Sequence, residues 1–176
     1  MMSATKWMVS LVAGAIAAAG SVAIQSSTYI GVKKCSFCHK NENLGGQFGI
    51  WESITHSKSF ESLSNPNAVI HAETMGVERP TEDPKCLICH VPLFEKAPDF
   101  AAEGVNCEVC HGPGSGYAKL SIMTNREEAE KKGLVLYGPP EKIKAFCLEC
   151  HDNPHGNPFD FAAGWEKMKH PLPPKK

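Results

Sequence analysis

Every cysteine of this chain stands in the same five-residue arrangement, which constrains the fold more than any other feature. The eight cysteines form four Cys-x-x-Cys pairs, each followed at once by a histidine: Cys35, Cys38 and His39; Cys86, Cys89 and His90; Cys107, Cys110 and His111; Cys147, Cys150 and His151. Two thiols three residues apart on one helical turn can each add to a vinyl group of the same porphyrin, while the next side chain on that turn points its imidazole at the iron. A single Cys-x-x-Cys is equally a zinc half-site or a redox dithiol. Four repetitions with histidine in the same place indicate covalent haem c attachment. The spacing therefore predicts four haem c groups carried by these eight thiols, with His39, His90, His111 and His151 as proximal iron ligands.

Four haems in a chain of 176 residues leave fewer than about 40 residues each once a leader is removed, too few for separate globular units. The cofactors must share one core and supply most of its apolar surface. This suits a chain with fifteen Gly and thirteen Pro, which has little room for long regular elements. The expected class is mainly α with extensive loops, a compact multihaem cytochrome organised around four haems with little or no sheet. Neighbouring macrocycles packed so densely form a path for electrons.

Eighteen Lys and Arg against nineteen Asp and Glu leave no basic excess to neutralise phosphates, so nucleic acid is not an expected partner. The N-terminus reads as an export signal: Lys6 is followed by an uncharged, Ala- and Val-rich stretch over residues 7–24. Cleavage after Ala19 or after Ala23 satisfies the small-residue rule equally. A retained anchor is the competing reading, since the run is just long enough to span a bilayer. Against it, Gly14, Gly20 and Ser21 dilute the hydrophobicity and no Lys or Arg follows until Lys33. The expected organisation is a signal peptide over 1–23 and one tetrahaem domain over 24–176 with an exposed tail at 171–176. The expected location is periplasmic or extracellular, with no stable membrane span after cleavage.

Four histidines lie outside the motifs, His56, His71, His155 and His170, matching the number of haems. The simplest assignment gives every iron a second histidine and leaves no vacant position. His56, Phe60 and Leu63 fall at helical spacing on one face. His170 ends a Trp-Glu-x-x-x-His stretch that repeats the one ending at His56, and it follows the helical set Phe161, Trp165 and Met168. His71 follows the apolar run Ala68, Val69 and Ile70. His155 sits in a Pro- and Gly-rich turn four residues after His151, where it can reach a haem other than that of its own motif. Met75 and Met168 are the alternative axial ligands, but their settings read as packing. Phe37, Phe48, Trp51, Phe94 and Trp165 are candidates to pack on the macrocycles. Residues 76–85 read as a loop, because Pro80 and Pro84 forbid a continuous helix, and residues 125–132 as a charged, solvated helix.

The motif spacing, the lead-in Tyr29, Ile30 and Gly31, the stretch 51–56, the run 104–114 and the C-terminal segment 159–170 together resemble the tetrahaem cytochrome c-554 family. The resemblance covers about residues 29–170, and its most specific part is the Cys-Glu-x-Cys-His-Gly-Pro-Gly run that begins at Cys107. It implies a mostly helical fold in which haem pairs stack closely and distal histidines come from distant parts of the chain, a role that carries over to His56 and His170. The resemblance also brings in a relative that accepts electrons from hydroxylamine oxidation and keeps one haem five-coordinate, a feature linked to nitric oxide chemistry. Here four spare histidines allow that position to close, and Tyr117 stands where relatives often carry a histidine. Related tetrahaem cytochromes also form extracellular filaments in which the next subunit donates one distal histidine.

Together these features point to an exported carrier of single electrons in respiration, not an enzyme and without catalytic residues, with mostly or wholly bis-histidine haems. The alternatives are a filament subunit and a haem enzyme acting on nitric oxide, nitrite or hydroxylamine. Expected partners are redox proteins such as quinol-linked or other multihaem cytochromes, with self-association into dimers or filaments as a further expectation.

Overall fold

The computed structural model describes residues 26–152 and 154–171. The stretch over 1–23 that reads as an export signal, and the tail beyond residue 171, lie outside them. Among the described residues the secondary structure is helical, with no strand. None of these helices is long and apolar enough to cross a membrane.

The helices are short: α1 (Val32–His39), α2 (Gln47–Ser53), α3 (Ser59–Ser62), α4 (Pro66–Thr74), α5 (Pro84–His90), α6 (Cys107–His111), α7 (Leu120–Met123), α8 (Arg126–Lys131), α9 (Pro140–Cys147) and α10 (Phe161–Met168). Helices of this length are marginal alone and depend on tertiary contacts. Local chemistry sets where several of them begin. Asn65 and Asp83 cap α4 and α5 through backbone amides two residues on, each with proline at the start of the helix. Asn106 accepts from the amides of Glu108 and Val109 and so starts α6, while Asn125 and Asp160 cap α8 and α10. The loop before α5 covers residues 76–83, two fewer than expected, because Pro84 opens the helix instead of closing the loop. At the end of α8 the Glu128–Lys132 pair is a loose 4.0 Å contact at the exposed surface.

Residues 51–63 do not form the single helix that their spacing suggests. Helix α2 stops at Ser53, and Ile54 is extended (φ −101°, ψ 165°) before a 3-10 turn over Thr55–Lys58 leads into α3. The hydroxyls of Ser53 and Ser57 donate to the carbonyls of Ile50 and Ile54 at 2.7 and 2.8 Å, offering the backbone an alternative to continued helix. Phe60 and Leu63 still reach the interior, where Leu63, Leu87 and Val91 form a small cluster joined by Phe60, Phe94 and Ala101.

Polar ties supplement this modest apolar core. The buried Glu108 carboxylate accepts from the amides of Ile30 (3.0 Å), Gly31 (2.8 Å) and Gly114 (2.6 Å). Glu103 accepts from the Val32 amide at 3.1 Å and from Asn106 Nδ2 at 2.8 Å. Two carboxylates thus take up the free amides where α1 begins, the end at which the helix dipole favours negative charge. In this way α1 is held against α6. Gly31 has φ +74°, and a Cβ there would come within 2.6 Å of the Phe100 ring, so only glycine permits this docking.

Replacing Glu108 by Ala strands three amides around a buried void. Glu108→Ala should cost about 3 kcal/mol and lower the thermal midpoint of the holoprotein. Glu108→Gln should lose less, because one amide oxygen still accepts; calorimetry of both variants measures the difference.

Candidate functional site

The first three motifs lie on α1, α5 and α6, and the fourth spans the end of α9 and the turn after it. Thiols of different motifs lie near enough to influence one another's protonation. The neighbouring Cys35 thiol, and then burial, hold the proton on Cys107 far more tightly than on an ordinary thiol. Burial and the Cys147 thiol push Cys110 up to about 11, and burial and the Cys89 thiol push Cys150 up to about 12. Neighbouring thiols thus relate the first motif to the third, the third to the fourth and the fourth to the second.

Hydrogen bonds decide which nitrogen of each motif histidine is free. His111 Nδ1 is 2.8 Å from the carbonyl oxygen of Val135, and His90 Nδ1 is 3.0 Å from that of Ser59. A carbonyl oxygen only accepts, so Nδ1 carries the proton in both rings and Nε2 keeps its lone pair. His39 Nδ1 lies 3.0 Å from Gln47 Oε1. Against His151 the Phe159 ring stacks at 4.4 Å with a 17° tilt.

The histidines outside the motifs divide into two kinds. Ring centroids are 5.9 Å apart for His56 and His151, 5.8 Å for His111 and His170, and 6.2 Å for His90 and His155. Two metal–nitrogen bonds of about 2 Å, plus the offset from nitrogen to ring centre on each side, require roughly 6 Å between imidazoles facing each other across one metal. His71 differs: its Nε2 is hydrogen-bonded to His155 Nδ1 at 3.1 Å, with the rings 5.0 Å apart. That is a direct contact with no room for an ion between the rings. Among the described residues His39 makes no ring contact of the 6 Å kind, although His170 lies near enough to feel its charge. Burial, and then the neighbouring histidines, lower the pKa of His56, His155 and His170, which favours the neutral imidazole that binds metal. Met75 is 44% exposed beside a turn, and Met168 is half-buried on α10.

The donor set therefore fits haem c: paired thiols followed by an imidazole in each motif, Nε2 atoms left free by Nδ1 contacts, and a second imidazole about 6 Å from three of the motif histidines. The aromatic candidates are less uniform. Phe48 is buried and tilts against Trp51 at 5.4 Å, whereas Phe37 is 91% exposed to solvent on the polypeptide alone.

Comparison with known proteins points to the same class of cofactor. The family described as cytochrome c554 and c-prime matches residues 34–112, which hold the first three motifs. Cytochrome c-554 of Nitrosomonas europaea is 30% identical over 161 residues, covering 82% of this chain. The chain belongs to the cytochrome c-554 family. This family member spans 63% of the length of that relative, and no solved structure matches it. As a c-type cytochrome it carries covalently bound haem c.

Two features of this cytochrome escaped the sequence reading. Ser59 Oγ lies 2.7 Å from the carbonyl of His90 and 2.9 Å from that of His56, and it accepts from the Val105 amide at 2.9 Å. It thereby holds two ligand-bearing segments and the approach to α6 together. Glu108 does the same for the first and third motifs. The glutamate inside Cys-Glu-x-Cys-His was the visible signal for the second; nothing marks Ser59 among its neighbouring serines.

Ser59→Ala removes the hydroxyl but keeps the Ser59 carbonyl that holds His90. It should cost about 1–2 kcal/mol, seen as a lower denaturation midpoint, with the haem content by intact mass unchanged.

Proposed function

We propose that this cytochrome is an exported tetrahaem electron carrier with mostly bis-histidine irons. The observation that carries the reading is that three motif histidines each have a second histidine 5.8 to 6.2 Å away, with neighbouring thiols relating all four motifs. Sites linked in this way bring four cofactors into succession within one small chain. Haem c supplies the one-electron ferric–ferrous couple. The protein's part is to hold the eight cysteines as attachment points and His39, His90, His111 and His151 as proximal ligands. His151, His111 and His90 lie 5.9, 5.8 and 6.2 Å from His56, His170 and His155 respectively, and an iron held by both rings of a pair would have no position left for substrate. Each facing histidine comes from a segment other than the motif it serves, so ligation also ties the chain together.

In the same reading residues 1–23 are a signal peptide, residues 24–176 form a single tetrahaem domain, and the mature protein works in the periplasm or outside the cell. Its partners are redox proteins. The engagement of His71 with His155 supports a second reading for one site. His39 then has no histidine across from it among the described residues, and a haem held there would keep one position open to a small ligand such as nitric oxide.

Carbon monoxide tests both readings on the dithionite-reduced holoprotein, with four haems counted by intact mass. The visible spectrum should change for about a quarter of the absorbance, as one open iron in four requires. His56→Ala or His170→Ala should raise the responding fraction to about half, whereas His71→Ala should leave it at about a quarter. No response in the unaltered protein would show the His39 iron closed, and fewer than four haems would overturn the tetrahaem assignment.

A further inference from the structure

We propose that Gln47 is a positioning residue that sets the orientation and basicity of the His39 imidazole and ties it to the segment carrying His170. The proposal rests on the reading of His39 as a haem ligand. Gln47 is buried at the start of α2. Its Nε2 donates to the carbonyl of Leu44 at 2.7 Å and to that of Pro171 at 3.0 Å. Two carbonyl oxygens can only accept, so the amide nitrogen must lie on their side and Oε1 must face His39. Oε1 is then the acceptor for the proton on His39 Nδ1, 3.0 Å away, and His39 Nε2 is left free for iron.

The backbone is shaped for this contact. Gly45 has φ +106°, and a Cβ there would come within 2.5 Å of Gln47 Nε2 and 3.0 Å of the Pro171 carbonyl. A side chain at position 45 would therefore fill the space in which the amide and the C-terminal segment meet. An amide is the one neutral group that both accepts from an imidazole and donates to carbonyls from a single planar head. His90 and His111 are held by backbone carbonyls, which no substitution removes. His90 has the Ser62 hydroxyl beside its Nδ1 as well, at 3.3 Å, but of these three ligands only His39 has a side chain as its sole Nδ1 partner.

An acceptor on Nδ1–H makes the opposite nitrogen a stronger donor and stabilises ferric iron. Gln47→Glu, studied at about pH 8, where a carboxylate is ionised, strengthens the acceptor. Gln47→Leu deletes it at similar volume. Potentiometric titration should show one component, a quarter of the haem absorbance, moving in opposite directions in the two variants. The expected size is about tenfold in its reduction equilibrium, or about 59 mV for one electron, downward for Gln47→Glu and upward for Gln47→Leu. Loosened packing alone would move both variants the same way, and that result, or no shift in either, would overturn the proposal. A haem-free peptide holding Cys35 and Cys38 in digests of the unaltered protein would instead overturn the ligand assignment beneath it.

Discussion

A carbonyl oxygen accepts hydrogen bonds and never donates them, and the arrangement of the site depends on that asymmetry. It puts the proton on Nδ1 of His90 and His111 directly, and through the Gln47 amide it does the same for His39. Each ring is thereby locked in one tautomer before any metal binds, with the other nitrogen presented as a ligand. The carbonyls come from distant segments: Val135 lies 24 positions from His111, and Ser59 lies 31 positions from His90. Ligand orientation is therefore a product of the tertiary fold.

A similar reliance on directed polar contacts runs through the polypeptide framework. Short helices contribute little stability by themselves, and the apolar cluster around Leu63, Leu87 and Val91 is small. Carboxylates, Glu108 buried and Glu103 half-buried, take over part of what side-chain packing does in larger cores. Glu108 and Glu103 collect the amides at the head of α1 and hold the first motif against the third, while the Trp51 indole N–H, donating to the Val105 carbonyl at 2.9 Å, holds α2 to the same loop. Charge-assisted hydrogen bonds are strong and directional, so they define a geometry with few residues. The exposure of Phe37 and the half-buried state of most motif cysteines fit a chain whose remaining apolar surface meets cofactor.

Much of this was legible in the sequence because the relevant chemistry is local. Proline after Asp83 or Asn65 marks a helix start by steric and hydrogen-bonding rules that act within one turn. The break at Ile54 was less visible, since the spacing of His56, Phe60 and Leu63 suits a helix and the competing serine hydroxyl bonds depend on the conformation they help to create. The family was also legible, through the glutamate and glycines surrounding the third motif. Glu108 explains why that run is distinctive: its carboxylate reaches both the lead-in at residues 30–31 and Gly114.

Cofactor chemistry could be read from the chain alone, because attachment requires two thiols and an imidazole within a single turn, and a spacing of a few residues is all that the reaction needs. The helical class could be read in the same way, from a short chain whose many glycines and prolines interrupt regular elements. Which histidine faces which could be read only from the folded molecule. Equal numbers of motif and spare histidines suggested one partner for each, yet His71 is drawn to His155 by a direct hydrogen bond while His56, His155 and His170 stand about 6 Å from motif rings. Pairing between segments so far apart in the chain depends on where loops return, and counting side chains carries no information about direction in space.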